Sequence, residues 1–320
     1  MKVLIYGGGA VGLGIASCLM AAGVDVSIVG RSSTVTALEE DGLDRGGIFG
    51  SMDHPPNQFK SSSSVSAFRE SIFDYVLICT KSFDTEVAAL DLERHGFCSN
   101  AHSKFVLFQN GWGNTEILCK HVPAERVFNA RVITGFARSK PNCVSITVHA
   151  DDIHIGSFVG KVSGQVGPLC RAIRSGGVPC SVSNTIIKDL WAKMLYNCPL
   201  NSLGAVFEVS YGDLADNPSS KYLMDLIIDE CFSVMASAGF TTHWESAEAY
   251  KAVFYGTMIP PTRPHFPSTL QDIRSGKPTE IESLNGAIVR LGKKHGVRAP
   301  VNEAVYYMIK FKEGRLETKV

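Results

Sequence analysis

Three polar side chains recur at intervals of four residues within the apolar stretch LWAKMLYNCPLNSLGAV, which spans residues 190 to 206. They are Lys193, Asn197 and Asn201, and a helix would align them on one face because about 3.6 residues form a turn. An ammonium group can stabilise developing negative charge and donate a proton, while amides can hold a polar ligand. A lone lysine on such a helix usually extends to solvent. A buried row of three polar groups instead needs polar partners, and a bound ligand would provide them.

Two further polar residues each follow a predicted buried strand. The segment FQNGWGN, residues 108 to 114, places Asn110 at the carboxyl end of one strand. The segment CTKSFDT, residues 79 to 85, places Lys81 just beyond another. Ligands of open α/β sheets bind outside this edge, so both side chains are candidates for ligand contact.

Ser268 and Glu280 lie on either side of the turn SGKP in the segment STLQDIRSGKPTEIESLNG, residues 268 to 286. Glu280 is predicted to open a helix. An acidic residue stabilises a helix N-terminus by itself, so the residues alone leave open a structural role and a functional one.

The segment GGGAVG near the start of the chain matches the pattern G-x-G-x-x-G, and it lies between a predicted strand and a predicted helix. In this context the glycines allow a tight turn, a close approach to a pyrophosphate and close packing of helix on strand. The segment lacks a P-loop lysine, so we predict a dinucleotide site. Its residues are Gly7, Gly8, Gly9, Ala10, Val11 and Gly12.

The end of the second predicted strand indicates which dinucleotide binds. NAD-binding units usually carry an acidic residue there, which bonds the ribose 2′-hydroxyl. This chain has Gly30 followed by Arg31, Ser32 and Ser33. No acid is present to repel a 2′-phosphate, and a guanidinium can bind one with two hydrogen bonds, so we predict NADP(H). An ordinary surface arginine is the alternative.

The elements that must position these residues fall into two groups. Strands are predicted at 2–6, 24–30, 74–80 and 104–110, with an antiparallel hairpin at 143–158 around Asp151 and Asp152. Helices are predicted at 185–206, 219–238, 244–258, 280–295 and 301–313, with Pro199 interrupting the first. We therefore predict an α/β Rossmann-type N-terminal domain, residues 1–184, and an all-α C-terminal domain, residues 185–320.

Composition and charge give no support for several classes of protein. Lys plus Arg and Asp plus Glu are equal at 31 each, which gives no support for binding to nucleic acid or to a membrane surface. No apolar run reaches about 18 residues, so no membrane span is expected. Nine cysteines without a CxxC pair indicate reduced thiols in a cytoplasmic protein. The residues His149, Asp151, Asp152 and His154 straddle the predicted hairpin turn, so we expect surface roles and no metal site.

With these motifs in this order and spacing, the chain resembles the ketopantoate reductase family over essentially its whole length. The motifs are GGGAVG, TKSFDT, QNGWGN, LWAKMLYNCPLNSLGAV and STLQDIRSGKPTEIESLNGAIVRLGKKHGVRAPVN. The resemblance implies NADPH-dependent reduction of 2-dehydropantoate to pantoate, a step of pantothenate and coenzyme A biosynthesis. It also implies that the small 2-keto acid binds in a cleft between a Rossmann domain and a helical domain.

The resemblance further implies a role for each candidate residue. Lys193 corresponds to the general acid of the family, and Glu280 would orient it or bind the substrate hydroxyl. The implied substrate-binding residues are Asn110, Asn197, Asn201 and Ser268. The implied cofactor-binding residues beyond the glycine turn are Arg31, Lys81, Asn110 and Glu280.

Two departures from the family pattern lie near the substrate end. His265 stands where the family often has asparagine, and Tyr211 stands where some members carry another asparagine. They keep open a related NADP-dependent reductase of another small 2-keto acid or of an imine. A non-catalytic NADP-binding sensor is a further alternative, which the intact pair Lys193 and Glu280 disfavours. A homodimer is left open by the sequence.

Overall fold

The computed structural model describes residues 1–160 and 163–317, and it divides into two compact units. The first unit consists of Met1–Asn110 and Asn114–Ile186. The second consists of Gly111–Gly113 and the chain from Ile187 onward. The division predicted at residue 184 stays a prediction about separate domains. Within the described residues, no helix has both the length and the apolar composition needed to cross a bilayer.

The first unit is an α/β structure built on two sheets. Its strands are β1 (Lys2–Tyr6), β2 (Asp25–Val29), β3 (Leu43–Gly47), β4 (Met52–His54), β5 (Lys60–Ser62), β6 (Tyr75–Ile78), β7 (Lys104–Leu107), β8 (Val127–Arg131), β9 (Thr134–Lys140), β10 (Cys143–His149), β11 (Ile153–Gly156) and β12 (Cys180–Val182). Its helices are α1 (Ala10–Ala21), α2 (Ser32–Asp41), α3 (Thr85–Arg94), α4 (Asn114–Leu118) and α5 (Ser163–Ser175).

The larger sheet has the order β12-β11-β8-β7-β6-β1-β2-β5. From β5 to β8 this is the doubly wound order, and all pairs in that range are parallel. The order reverses between β1 and β6, where such folds bind nucleotides. The predicted Rossmann-type architecture is confirmed for this unit.

The central strands are buried on both faces, as parallel strands covered by helices must be. On β1, Val3 and Ile5 belong to one apolar cluster and Leu4 belongs to another. On β6, Leu77 joins the first cluster while Val76 joins the second. These continuous apolar runs made the strands recognisable in the sequence.

The segment of residues 143 to 158 does not form the predicted hairpin. β10 pairs antiparallel with β9 in the smaller sheet, whose order is β4-β3-β10-β9. β11 pairs with β8 and β12 in the larger sheet. Alternation specifies which face of a strand is buried but not which strand is its neighbour. Nδ1 of His149 lies 2.9 Å from Oγ1 of Thr134. Oδ2 of Asp151 accepts a hydrogen bond from Nη2 of Arg131 at 2.7 Å.

The second unit is helical, and this part of the predicted fold class is also confirmed. Its helices are α6 (Ile186–Phe207), α7 (Tyr211–Asp216), α8 (Pro218–Ser237), α9 (Ala247–Val253), α10 (Ser268–Arg274), α11 (Asn285–His295) and α12 (Pro300–Glu317). The short helices α7 and α10 were not predicted. Glu280 does not open an α-helix, because a 3₁₀ turn, Ile281–Ser283, precedes α11.

Helix α6 continues through Pro199, so the predicted interruption is wrong. Proline removes one backbone hydrogen bond and crowds the preceding turn. The surrounding packing outweighs this cost, since Trp191, Leu195 and Cys198 are completely buried. Asn285 of α11 also donates from Nδ2 to the carbonyl oxygen of Cys198 at 3.2 Å. The three polar residues therefore lie on a single continuous helix.

Candidate active site

Two glycines of the turn after β1 are required by close backbone contacts. Gly7 has a φ of +119°, and a Cβ there would lie 2.7 Å from the backbone nitrogen of Thr80. A Cβ on Gly12 would lie 2.0 Å from the carbonyl oxygen of Gly7. Without side chains at these two positions, the turn packs tightly against the ends of β1 and β6. The fold therefore requires both glycines.

Gly9 differs, because the space around it is open. A Cβ there would find only the carbonyl oxygen of Cys79, at 4.0 Å. Gly9 is also the residue before α1, and it contributes no side-chain cap to the helix. The first amides of a helix lack intrahelical partners and attract anions. An open backbone at a helix start fits the pyrophosphate of a dinucleotide, which needs close approach here.

This contrast predicts different effects for two glycine substitutions. Gly9→Ala should leave thermal unfolding nearly unchanged but raise the Kd for NADPH on the order of tenfold, because an added methyl in a close contact costs about 1–3 kcal/mol. Gly12→Ala should instead lower the unfolding temperature, since its Cβ meets backbone inside the turn. Fluorescence titration and circular dichroism measure the two effects. If Gly9→Ala bound NADPH with wild-type affinity, the pyrophosphate could not lie at this position.

Arg31 lies at the start of α2, beside the glycine turn. It is exposed, and its carbonyl oxygen accepts from the amides of Thr34 and Val35. A Cβ on Gly8 would lie 3.4 Å from Cα of Gly30, the residue before Arg31. The predicted cofactor arginine and the glycine turn are therefore neighbours at this end of the sheet.

Gln109 connects the ends of β6 and β7, where Lys81 and Asn110 lie. Its Nε2 donates to Oγ1 of Thr80 and to the carbonyl oxygen of Lys81, both at 3.1 Å. The Nδ2 of Asn114 donates to the carbonyl oxygen of Asn110 at 3.0 Å. Gln109 is buried, so these bonds fix the loop that carries both candidates. The sequence analysis did not identify Gln109, although its place at a strand end was a signal.

In the second unit, α6 carries the three polar residues on one face. Lys193 is half-buried, whereas Asn197 and Asn201 are only 9% and 5% exposed. Buried amides require hydrogen-bond partners, so apolar packing alone does not satisfy the polar groups on this face of the helix.

Asn201 is held by Tyr211, the first residue of α7. The Tyr211 hydroxyl donates to Oδ1 of Asn201 at 2.8 Å, and its ring lies 5.1 Å from the ring of His265. Burial raises the pKa of Tyr211 well above its usual value, so the hydroxyl keeps its proton. With Oδ1 occupied in this way, the amide would present its Nδ2 donor to a ligand. Of the two family departures, Tyr211 therefore contacts a substrate candidate directly, and His265 contacts Tyr211.

Ser268 and Glu280 both lie in segments that pack against the later part of α6. Ser268 is exposed at the first position of α10, and the preceding Pro267 would lie 2.9 Å from a Cβ on Gly204. Glu280 is 7% exposed, and the next residue, Ile281, shares an apolar cluster with Ala205. The Glu280 side chain makes no capping hydrogen bond to the 3₁₀ turn that follows it, which favours a role beyond capping.

The structure thus groups the predicted residues into two sets. The first unit contains the glycine turn, Arg31, Lys81 and Asn110. The second contains Lys193, Asn197, Asn201, Ser268 and Glu280. The first set supplies an open backbone at a helix start, two cations and one amide, and the second supplies one cation, one carboxylate and several neutral hydrogen-bonding groups.

Comparison with protein families gives two matches that together span most of the chain. Residues 3–160 match the family described as ketopantoate reductase PanE/ApbA. Residues 185–313 match its C-terminal domain, described as ketopantoate reductase PanE/ApbA C terminal.

Individual relatives agree with this match. A protein of Aquifex aeolicus (strain VF5), named 2-dehydropantoate 2-reductase, is 40% identical over 314 residues, which cover 98% of this chain and 97% of the relative. A PanE/ApbA family ketopantoate reductase from Ralstonia eutropha JMP134 has a TM-score of 0.86 at 28% identity, covering 99% of this chain and 100% of that one. A D-mandelate dehydrogenase has a TM-score of 0.88 at 22% identity, covering 99% of each chain, and shares the fold.

Proposed function

Because this chain belongs to the ketopantoate reductase family of oxidoreductases, we propose that it reduces 2-dehydropantoate to pantoate with NADPH. The observation that carries the proposal is the continuous face of α6, on which Lys193, Asn197 and Asn201 recur one turn apart. Such a face offers one proton donor and two buried amides to a small polar substrate. Glycine Gly9, open at the start of α1, supports the dinucleotide part of the proposal.

NADPH, when bound, supplies the hydride that reduces the keto carbon of the substrate. The first unit would hold it through the glycine turn, Arg31, Lys81 and Asn110. Gln109 contributes by fixing the loop of these last two residues through its bonds to Thr80 and Lys81.

Lys193 would act on the substrate oxygen. That oxygen gains negative charge as the keto carbon is reduced, and the nearby ammonium stabilises the charge and then transfers a proton. The hydroxy acid keeps this proton, and the lysine regains one from solvent. The reaction therefore consumes one proton and one hydride for each keto group.

The remaining residues would hold the substrate in place. Asn197, Asn201 and Ser268 offer neutral donors for its carboxylate and hydroxyl groups. Glu280 is buried near α6, where it would orient Lys193 or accept from the substrate hydroxyl. Fixed donors of this kind lower the barrier because they need no reorganisation during the reaction.

NADPH should bind at least about tenfold more tightly than NADH, which corresponds to about 1.4 kcal/mol. Arg31→Ala should remove most of this preference and leave NADH affinity nearly unchanged, because only NADPH has the 2′-phosphate. Arg69→Ala removes an exposed arginine of the same unit that contacts Glu70, and it is the matched control. Equal wild-type affinities for both cofactors would contradict NADP use.

The activity itself is tested by following NADPH oxidation over a panel of 2-keto acids, with pantoate identified as the product. A second candidate function is reduction of another small 2-keto acid. Tyr211 favours it, because its ring and hydroxyl occupy the neighbourhood of Asn201 where some family members carry asparagine. A best substrate without a hydroxyl group would select this second candidate.

A further inference from the structure

Arg138 brings a guanidinium group from the smaller sheet to the glycine turn. It lies on β9, and its Nη1 donates to the carbonyl oxygen of Gly8 at 2.8 Å. Gly8 is the second residue of the turn and closely approaches Gly30, which precedes Arg31. The guanidinium of Arg138 and the backbone of Arg31 therefore belong to the same small region of the first unit.

The packing of β9 fixes this placement. The ring of Phe136 covers Gly14 of α1, where a Cβ would lie 2.4 Å from the ring. The pairing of β9 with β10 then shifts in register, because Arg138 and Lys140 oppose the consecutive residues Val144 and Cys143. Such a bulge re-aims a side chain locally. Arg138 thus projects from a strand that is anchored on the helix following the turn.

Arg138 and Arg31 are close enough to repel one another. Partial burial and the positive charge of Arg31 both lower the pKa of Arg138. Burial raises the pKa of Asp84, and the charge of Arg31 opposes that rise. Within residues 1–160 and 163–317, neither arginine forms an ion pair with a carboxylate within 4.0 Å. Two adjacent cations without a paired carboxylate favour an anionic ligand.

We propose that Arg138 and Arg31 together bind the 2′-phosphate of NADP(H), which makes Arg138 a specificity-determining residue contributed by the smaller sheet. One donor of Arg138 is used on Gly8, and a guanidinium has five, so several remain for phosphate oxygens. A phosphate dianion would offset the repulsion between the two side chains. This inference rests on the proposed use of NADPH.

Binding measurements on Arg138→Ala test the inference without turnover. We expect the Kd for NADPH to rise by about tenfold, as for loss of a charged hydrogen bond, and the Kd for NADH to stay nearly constant. Binding of adenosine 2′,5′-bisphosphate should weaken in parallel with binding of NADPH, whereas binding of AMP should not weaken. Arg138→Gln, which keeps a donor for Gly8 but loses the charge, should show the same selective loss.

Lys140→Ala is the matched control, because it removes an equal charge from the same exposed end of β9. It should leave both cofactor affinities nearly unchanged. An equal loss of affinity for NADPH and for NADH in both Arg138 variants would overturn the inference. It would show that Arg138 only stabilises the conformation of the glycine turn. A wild-type protein without NADPH preference would contradict the proposed function. A wild-type preference that survives in both Arg138 variants would contradict only this inference.

Discussion

Replacing Lys193 with alanine should lower kcat for 2-dehydropantoate by about 10²- to 10⁴-fold, the usual contribution of a positioned acid. The physical reason is loss of the ammonium that stabilises the developing oxyanion and protonates it. The Kd for NADPH should hardly change, because all the residues proposed to hold the cofactor except Glu280 lie in the first unit. Steady-state kinetics and a separate cofactor titration measure these two quantities.

Lys188→Ala provides the control on the same helix. Lys188 is also half-buried on α6 but lies five residues from Lys193, on another face. Its loss should leave kcat nearly unchanged. Glu280→Ala should cost less than Lys193→Ala, and the double variant should be far from additive if the two residues act together. Near-normal kcat in Lys193→Ala would show that the lysine serves packing and that the proposed mechanism is wrong.

The second large effect concerns substrate choice. 2-Dehydropantoate should be reduced with a kcat/KM at least about 10²-fold above that of pyruvate or 2-oxobutyrate. Substrates without the hydroxyl leave buried polar groups of the site unpaired, which is expensive. Competition assays at fixed NADPH concentration measure the ratio directly. Comparable kcat/KM values would favour reduction of another keto acid.

Tyr211→Phe would reveal whether the orientation of Asn201 contributes to this ratio. Removing the hydroxyl frees Oδ1 of Asn201, so the amide can turn, and KM for 2-dehydropantoate should rise by about 2- to 10-fold for one hydrogen bond. The kcat should change little. Tyr196→Phe is the matched control, because that hydroxyl contacts Oγ1 of Thr262 at 2.8 Å. An equal rise of KM in both variants would point to general loosening of the packing between the rings of Tyr196 and Tyr211, whose centroids lie 5.9 Å apart.

The sequence alone identifies features whose residues are adjacent in the chain or recur with a regular period. The glycine turn, residues 7–12, is confirmed as a strand–turn–helix because all its determinants lie within one short segment. The row Lys193, Asn197, Asn201 is likewise placed on one helix face by spacing alone. Both features depend only on local backbone geometry, which residues close together in the sequence determine.

Two local rules failed because packing outweighed them. Pro199 predicts a break in α6, yet burial of Trp191 and Leu195 keeps the helix continuous. The alternating residues of 143–158 predict a hairpin, yet β10 and β11 join different sheets. In each case the local preference is outweighed by packing against elements that are distant in the sequence and that the local pattern does not include.

Only the tertiary structure decides which distant residues complete the candidate sites. Arg138 meets Gly8 across 130 positions of sequence, and Asn201 receives its bond from Tyr211 of another helix. Gln109 similarly bonds to Thr80 and Lys81 across neighbouring strands. No spacing rule connects such pairs, because their contact results from the packing of whole elements, whereas periodicity describes only one element at a time.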